Sequence, residues 1–550
     1  MASKFFSLVL HSHIPYVLAH GNWPHGVDWL HEAAAESYLP LLDVFYRLRD
    51  EGFAPNVNVS FTPVLMEQLK SRSFASGFKS YLQMKIDIAR QDRAYFEKTG
   101  NKTLLSLTFY WEAWYQKLYE SFTTTWREDI LGGFRKLQEQ GLVEIMTSAA
   151  SHAYFPLLSR DESLRRQVRQ GKSVYREHFG RDPQGFWLPE CAYRPRYAWK
   201  RPIGSGRSSP RLGVDEILGE EGLGYFFVDT HLLSGGEVRG VYLDRFPALK
   251  LLWEKFRKGY ETGKQAASSP YLPYLADPSR VPFFVRDDKS GAQVWSGKSG
   301  YPGDGWYLEF HKKHFPGGMR YWRITSNGAD LGDKQPYDPG RIQERLDENA
   351  AHFVDSVAAS LSGEDEGVVA ALYDTELFGH WWFEGPEWLY RVIKKFYGTK
   401  IQPRQANDCL EALRPHVVVS LPEGSWGTGG FHWIWFNDDT AWIWEKIYWV
   451  EEEAHRLPRS LARKKPELYR QFMREKFLLE SSDWPFLIST WTARDYAENR
   501  AAEHFQRAKT LVDWLKRNDP LGQHEQKQLA TWEEEDNVFA TIVTPDGDFI

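Results

Sequence analysis

Short apolar runs alternate with longer amphipathic stretches along the first 400 residues of the chain. The runs are residues 5–10, 56–61, 143–147, 185–189, 224–228, 282–285 and 368–373, rich in Val, Ile, Phe and Tyr. Their length and composition predict buried strands. Stretches of helical periodicity lie between several of them, notably 29–42, 164–179 and 341–361. Strand–helix alternation predicts a parallel sheet. Two excursions interrupt it. Residues 65–131 read as mainly helical and aromatic, and residues 232–280 carry Pro, Gly and Ser clusters around a helical piece at 248–260. A connection that long in a compact domain predicts a lid or an inserted subdomain. Beyond Lys400 the pattern turns helical, clearest at 438–456 and 465–481, so residues 1–400 are expected to form one domain and 401–550 a second, helical one. Residues 544–548 carry turn chemistry, and no internal repeat or low-complexity segment is found.

The polar residues just after the runs change the picture. His11 and His13 follow the first run, Glu190 the fourth, Asp229 and His231 the fifth, Arg286 and Asp287 the sixth, and Asp374 the seventh. Turn chemistry explains any one of these. Together they describe polar groups gathered at the carboxyl ends of parallel strands, where barrel enzymes place their active sites. Glu190 and Asp374 are each followed by aromatic residues, and a pair of carboxyl groups is what glycosidic bond cleavage commonly requires.

Composition narrows the classes further. Aromatic residues make up 15% of the chain, with 24 Trp and 27 Tyr. Their flat apolar faces with polar handles match pyranose rings, while about two thirds of the tryptophans are expected simply to fill the core. A net charge of -6 with no phosphate-tracking Lys/Arg block argues against a nucleic-acid partner. The basic run Arg463-Lys464-Lys465 lies near Glu451-Glu452-Glu453 and reads as a solvated helix face. Two cysteines build no disulfide framework, and there is no signal peptide or membrane-spanning stretch, so a cytoplasmic protein is expected.

Four motifs together are familiar: His11-Ser12-His13-Ile14-Pro15-Tyr16, Trp187-Leu188-Pro189-Glu190-Cys191-Ala192-Tyr193, Tyr373-Asp374-Thr375-Glu376-Leu377-Phe378-Gly379-His380-Trp381-Trp382, and Ser425-Trp426-Gly427-Thr428-Gly429-Gly430. With Gln293-Val294-Trp295-Ser296, Gly300-Tyr301-Pro302-Gly303, Arg320-Tyr321-Trp322-Arg323 and Ser482-Asp483-Trp484-Pro485-Phe486, they make the chain resemble glycoside hydrolase family 57 over nearly its whole length, and within it the 1,4-alpha-glucan branching enzymes. The resemblance implies a (β/α)7 barrel with helical insertions and a C-terminal helical domain. It implies a retaining mechanism on alpha-1,4-glucan with no cofactor and no metal, Glu190 being the nucleophile and Asp374 the general acid/base. His11, His13, His152, Trp295, Trp426 and Asp483 match residues lining the family's site. Arg286 and Gly303 match further substrate contacts, and Trp29 and Trp435 match sugar-contact positions. The resemblance implies transfer to a 6-hydroxyl, with hydrolysis or 4-alpha-glucanotransfer on the same scaffold as the alternative. A tyrosine on the mobile loop of related enzymes keeps water out, and Tyr260, Tyr271 and Tyr274 are the candidates in 232–280.

Retention implies carboxyl groups about 5–5.5 Å apart. The acid must hold its proton, and Trp381 and Trp382 are expected to desolvate it. Other readings of the same residues stand beside this one. His11 and His13 are candidates for a metal site with Asp229 or His231 as third ligand, as in metal-dependent deacetylases on related barrels. An inactive glucan-binding protein is a further alternative, against which both carboxylates stand. The 427–430 loop lacks the lysine of a phosphate loop and is expected to let backbone approach a sugar. Glu376 and Glu384 read as helix-start carboxylates, Asp483 as an N-cap or a substrate-side acid, and His178 and His416 as surface or packing residues.

Overall fold

The computed structural model describes residues 3–204, 208–234, 248, 252, 255, 269–326 and 328–544. All seven apolar runs form strands, called here β1 (Lys4–Ser12), β2 (Val57–Phe61), β3 (Val143–Ser148), β4 (Gly185–Trp187), β5 (Tyr225–Val228), β6 (Pro282–Val285) and β7 (Gly367–Asp374). They pair in parallel in the order β7-β1-β2-β3-β4-β5-β6. A parallel bridge between Arg286 and Ala370, with the Asp287 N–H donating to the Ala370 carbonyl at 2.9 Å, joins the end of β6 to β7. The sheet thus curls into a (β/α)7 barrel. Nearly every strand residue is buried, because helices cover the outside and side chains fill the inside, which is why the runs are continuous rather than alternating.

β4 is shorter than its apolar run. Proline has no N–H to extend the ladder, so at Pro189 the chain leaves the sheet in a 3-10 turn. That turn carries Glu190.

The 65–131 excursion is a helical hairpin, Arg72–Thr99 and Lys102–Glu120, preceded by Pro63–Lys70. Ser71 and Asn101 cap the two long helices by accepting from the Phe74 and Leu104 N–H groups, and Gly100 (φ 71°) makes the left-handed turn between them. The helical stretch expected at 29–42 runs from Val27 to Asp50 with a π-turn at Ala34–Tyr38 inside it. A π-turn re-aims side chains within a helix. Here it buries Glu36 against Arg320 (2.7 Å) and turns Tyr38 toward Glu376.

The structure shows no break at Lys400. Gln402–Pro403 pairs with β1, the Ala406 N–H donates to Asn58 Oδ1, and Val418–Val419 pairs with Tyr274–Ala276 beside β6. The long C-terminal helices begin only at Ala441: Ala441–Arg456, Pro466–Leu479, Asp483–Thr490, Arg494–Lys516 and Gln523–Glu535. A buried ionic knot fastens them to the loop after β1. His20 Nε2 meets Asp536 Oδ1 at 2.8 Å, Arg507 binds the other oxygen of Asp536, His504 meets Glu475, and Arg500 donates to the Tyr16 carbonyl at 2.7 Å. Both cysteines are buried and unpaired. Among the described residues, no helix is long and apolar enough to cross a membrane.

The helix Asp161–Phe179 lies so close to β3 that a Cβ on Gly171 would sit 2.2 Å from the Ser148 carbonyl oxygen. Relief requires the helix to back away from the barrel. Gly171→Ala is therefore expected to cost about 1–3 kcal/mol, read as a lower urea midpoint with unchanged m-value. An unshifted midpoint would mean that this approach is not a constraint.

Candidate active site

The cleft lies at the carboxyl ends of the strands. Strand register places His11 opposite Asp374 on one side and opposite Ser60 on the other. Glu190 sits in the turn after β4 with φ 61°, followed by Cys191 at φ 46°. Left-handed backbone at a carboxylate is uncommon and persists only where neighbours hold it. They do so here. The Glu190 carbonyl accepts from the Trp426 N–H at 3.1 Å, and Tyr193 and Gly424 exchange backbone bonds.

The Glu190 carboxyl is gripped from two directions. Oε2 accepts from the Trp426 indole at 2.8 Å, and Oε1 accepts from Ser482 Oγ at 3.2 Å. Ser482 also binds His152 Nδ1 at 2.8 Å, and its N–H donates to the His152 carbonyl. Burial pushes the Glu190 carboxyl up to about 8, with the Asp374 and Asp483 charges adding to the rise and the Trp426 bond and His13 charge opposing it. Asp374, the last residue of β7, is thus near enough for its charge to reach Glu190 and the phenol of Tyr38.

Three imidazoles floor the cleft. His11 stacks on Trp187 (4.5 Å between centroids) and meets His152 Nε2 to Nε2 at 3.0 Å. His13 binds Thr62 through Nδ1 and Asp483 Oδ2 through Nε2, both at 2.9 Å. Burial, then the charge of His13, drives His11 and His152 well below the usual imidazole range, so both are neutral near pH 7. Burial pushes Asp483 upward, but the charge and hydrogen bond of His13 and the Ser481 hydroxyl hold it below the ordinary carboxylate range.

The donors of His13, His152 and Asp483 lie within 4.8 Å of one another. The His13 and His152 rings, however, stack at 4.0 Å with 23° between planes. Their in-plane lone pairs run side by side instead of converging on the corner of a tetrahedron, which suits hydrogen bonding to hydroxyls better than holding an ion. The third ligands considered from sequence are committed elsewhere. Asp229 binds His231 (2.9 Å) and Arg286 (3.0 Å), and His231 Nε2 meets the Gly430 carbonyl. In a second cluster, Glu475, His504 and Asp536, the Asp536 carboxylate is already bound by Arg507, and His504 Nδ1 by Glu475.

The other expected residues divide. Trp426 (3% exposed) and Trp295 (7%) pack at 5.7 Å, and the Arg286 guanidinium lies 5.5 and 5.7 Å from their ring centroids. Arg286 is buried beside both, tied to Asp229. Gly303 closes a turn onto Gly300 that packs beside the helix carrying Trp295. Trp29 is half-exposed on the rim. Trp435 is corrected: it is 1% exposed, stacked on Tyr154 at 4.3 Å and pressed under Gly427, so it props the glycine loop and has no face left for a sugar.

The loop tyrosines are corrected too. Tyr274 lies in a strand, 3% exposed, with its hydroxyl on the Ser269 carbonyl. Tyr271 accepts from the Val368 N–H at the amino end of β7, away from the cleft. Tyr260 lies outside the described residues. Trp382 enters the core beside Tyr301, Tyr307 and Trp388, while Trp381 stacks on Phe310 at the surface.

Glu376 and Glu384 are not mere helix-start charges. Glu376 accepts from the Tyr38 hydroxyl and the His13 N–H, and burial lifts it to about 7. Glu384 precedes a helix, yet its side chain binds the Leu308 N–H and the Tyr337 hydroxyl. Sequence reasoning missed Ser482 and Tyr38. A serine before Asp483 at a helix start looks like a cap, and Tyr38 enters only through a π-turn that no periodicity announces.

A half-buried, interacting carboxyl pair walled by tryptophans and imidazoles at the carboxyl end of a (β/α)7 barrel defines a glycoside-bond-processing enzyme. The chain belongs to glycosyl hydrolase family 57, whose profile matches residues 7–422, and the profile described as "1,4-alpha-glucan branching enzyme, C-terminal" matches residues 447–545. A 1,4-alpha-glucan branching enzyme of Thermococcus kodakarensis is 40% identical over 98% of this chain and 78% of its own length. A crystal structure of a family 57 branching enzyme from that archaeon, in complex with glucose, superposes with a TM-score of 0.87 at 38% identity, covering 98% of this chain and 95% of the other. A Thermotoga maritima structure described as a novel alpha-amylase, AmyC, gives a TM-score of 0.78 at 28% identity, covering 98% and 97%.

Two outcomes follow from the grip on Glu190. Ser482→Ala removes one bond to Glu190 and one to His152, so kcat/KM on amylose should fall about five- to tenfold, the equivalent of roughly 1–1.5 kcal/mol. An unchanged kcat/KM would show that the hydroxyl does not orient the carboxyl. Folded Glu190 also keeps a proton up to about 8 that the unfolded chain releases near 4.5, so stability declines as pH rises between those values. Glu190→Gln should therefore raise the melting temperature over wild type by more at pH 8 than at pH 5; an equal shift at both would contradict the elevated carboxyl.

Proposed function

We infer that this chain is a 1,4-alpha-glucan branching enzyme: it cleaves an alpha-1,4 bond and transfers the released chain to a 6-hydroxyl. One observation carries the reading. Ser482 and Asp483, within the segment that matches the branching-enzyme C-terminal profile, reach into the family 57 barrel and bind Glu190 and His13.

Glu190 is the nucleophile and Asp374 the general acid/base. Burial lifts Glu190 to about 8, so near neutral pH it holds a proton that the chemistry needs on Asp374. The reactive form is the tautomer in which the proton has moved across. Protonating Asp374 removes its repulsion of Glu190, and the Trp426 indole then stabilises the Glu190 anion. Asp374 gives its proton to the leaving oxygen while Glu190 attacks the anomeric carbon and forms a glycosyl-enzyme. Asp374, now a base, takes the proton of the acceptor hydroxyl as that oxygen displaces Glu190. The neutral His11 and His152 and the anionic Asp483 bind sugar hydroxyls. Trp295 and Trp426, with Arg286 behind them, give the ring an apolar wall. The protein works without a metal, in the cytoplasm, on alpha-1,4-glucan chains.

A second reading, hydrolysis, is favoured by the likeness to AmyC. Proton NMR of amylose digests decides between them: new alpha-1,6 signals are expected to outnumber new reducing ends, and reducing ends without branch signals would establish the hydrolase. Glu190→Gln is expected to lower kcat at least about 10³-fold, and Asp374→Asn by roughly 10²–10⁴-fold. On a glycosyl fluoride, which departs without a proton, the first step of Asp374→Asn, read as a burst of fluoride release, should be rescued and its acidic limb should move to lower pH, because Glu190 no longer faces a second anion. Failure of the fluoride to rescue would remove Asp374 from the acid role.

A further inference from the structure

A second group of rings is linked to Glu190 through Ser482, and a chain of contacts leads to it. Trp426 binds Oε2 of Glu190, and Ser482 binds Oε1. Next comes Asp483, on His13, and then Trp484, fully buried in the first turn of its helix. Trp484 packs 6.5 Å from Tyr496, which stands edge-on to Trp29 at 5.4 Å and 77°. His25 completes the group, 5.3 Å from Trp29 and 6.1 Å from Tyr496. The Asp483 charge reaches the Tyr496 phenol, adding to the effect of burial.

The two sides differ in access. Trp295 and Trp426 are almost wholly buried, whereas Tyr496, Trp29 and His25 are half-exposed, with Trp23 (80% exposed) two residues from His25 and Trp491 (64%) ending the helix that starts at Asp483. Tyr496 is also held in place. Its oxygen accepts from Arg500 at 2.8 Å, and the same guanidinium nitrogen donates to the Tyr16 carbonyl. Arg500 belongs to the ionic knot, so the ring joins a barrel loop and a C-terminal helix with little freedom to lose on binding.

A 6-hydroxyl projects from the middle of a glucan chain. An acceptor offering it must lie across the cleft with both ends leading away, which requires an open surface with flat apolar faces. We propose that Tyr496, with Trp29 and His25, is the platform for the acceptor glucan, and that Tyr496 favours a sugar hydroxyl over water at the glycosyl-enzyme. This rests on the transglycosylase reading above. Trp29 was already expected to touch sugar; Tyr496 and the acceptor assignment were not.

The test uses the full chain on amylose and reads two products, transferred linkages of either kind (alpha-1,6 by NMR, chain redistribution by chromatography) and reducing ends. Tyr496→Ala should lower the ratio of transfer to hydrolysis about five- to tenfold and raise the KM for an added maltooligosaccharide acceptor. Tyr496→Phe, which keeps the ring, should stay within about twofold of wild type. Tyr496→Leu keeps apolar bulk against Trp484 without a flat face and should behave as the alanine variant, which guards against misfolding of the latter. An unchanged ratio in Tyr496→Ala or Tyr496→Leu of wild-type melting temperature overturns the proposal while leaving the transglycosylase reading intact. A wild type that releases reducing ends and transfers nothing sinks that reading, and this proposal with it.

Discussion

Burial of the Glu190 carboxyl in a left-handed turn is the constraint on which the rest of the site depends. Such a turn after a barrel strand does not hold itself, because both Glu190 and Cys191 occupy backbone space that side chains disfavour. Nor does a carboxyl so deep in the cleft tolerate being left unpaired. The turn is braced by the Trp426 backbone and the Tyr193–Gly424 bridge, and the carboxyl by Trp426 Nε1 and Ser482 Oγ. These braces come from segments more than 200 residues away in sequence, so the carboxyl is placed only once those distant segments have folded onto it.

That dependence explains the architecture at the barrel mouth. The glycine loop must come close for Trp426 to reach Glu190, and it is propped from behind by Trp435, whose ring lies 2.5 Å from where a Gly427 Cβ would be. The C-terminal helices must be registered on the barrel for Ser482 to arrive. The Ala153–Ser481 bridge, after β3, and the buried His20, Asp536, Arg507 and Arg500 knot, at the loop after β1, do this. A buried ionic knot is a poor source of net stability but penalises misalignment heavily, since a displaced partner leaves a charge unpaired.

The seven strands were legible because a parallel barrel buries both faces and so writes continuous apolar runs, and the strand-end polar residues could be read from them directly. The motif resemblance assigned roles to those residues and added His152 and Asp483, which the structure brings to the same cleft. What stayed hidden depended on geometry without a local signature. The π-turn that aims Tyr38 changes no hydrophobic period. Trp435 and Trp426 look alike in a tryptophan-rich stretch, and only packing separates the ring in the cleft from the ring behind it. Tyr271 and Tyr274 fall within a long connection whose end is already a strand. Strand pairing carries the chain past Lys400 as part of the sheet, which two-residue strands cannot announce.

The proton transfer from Glu190 to Asp374 in the proposed mechanism connects this construction to the choice between transfer and hydrolysis. In the proposed mechanism Glu190, lifted by burial, must pass its proton to Asp374 before it attacks, and a glycosidic oxygen beside Asp374 with water expelled from around Glu190 would favour that transfer. Substrate binding thereby gates the first step. The same logic applies to the second. In the proposed glycosyl-enzyme Glu190 is covalently engaged, so Asp374 no longer faces an anion and its basicity falls. A weak base acts on whichever hydroxyl is held longest in line, so positioning outweighs the abundance of water. A rigid, half-open aromatic platform beside Asp483 provides that positioning without sealing the cleft, which matters for an acceptor that must enter as the middle of a chain.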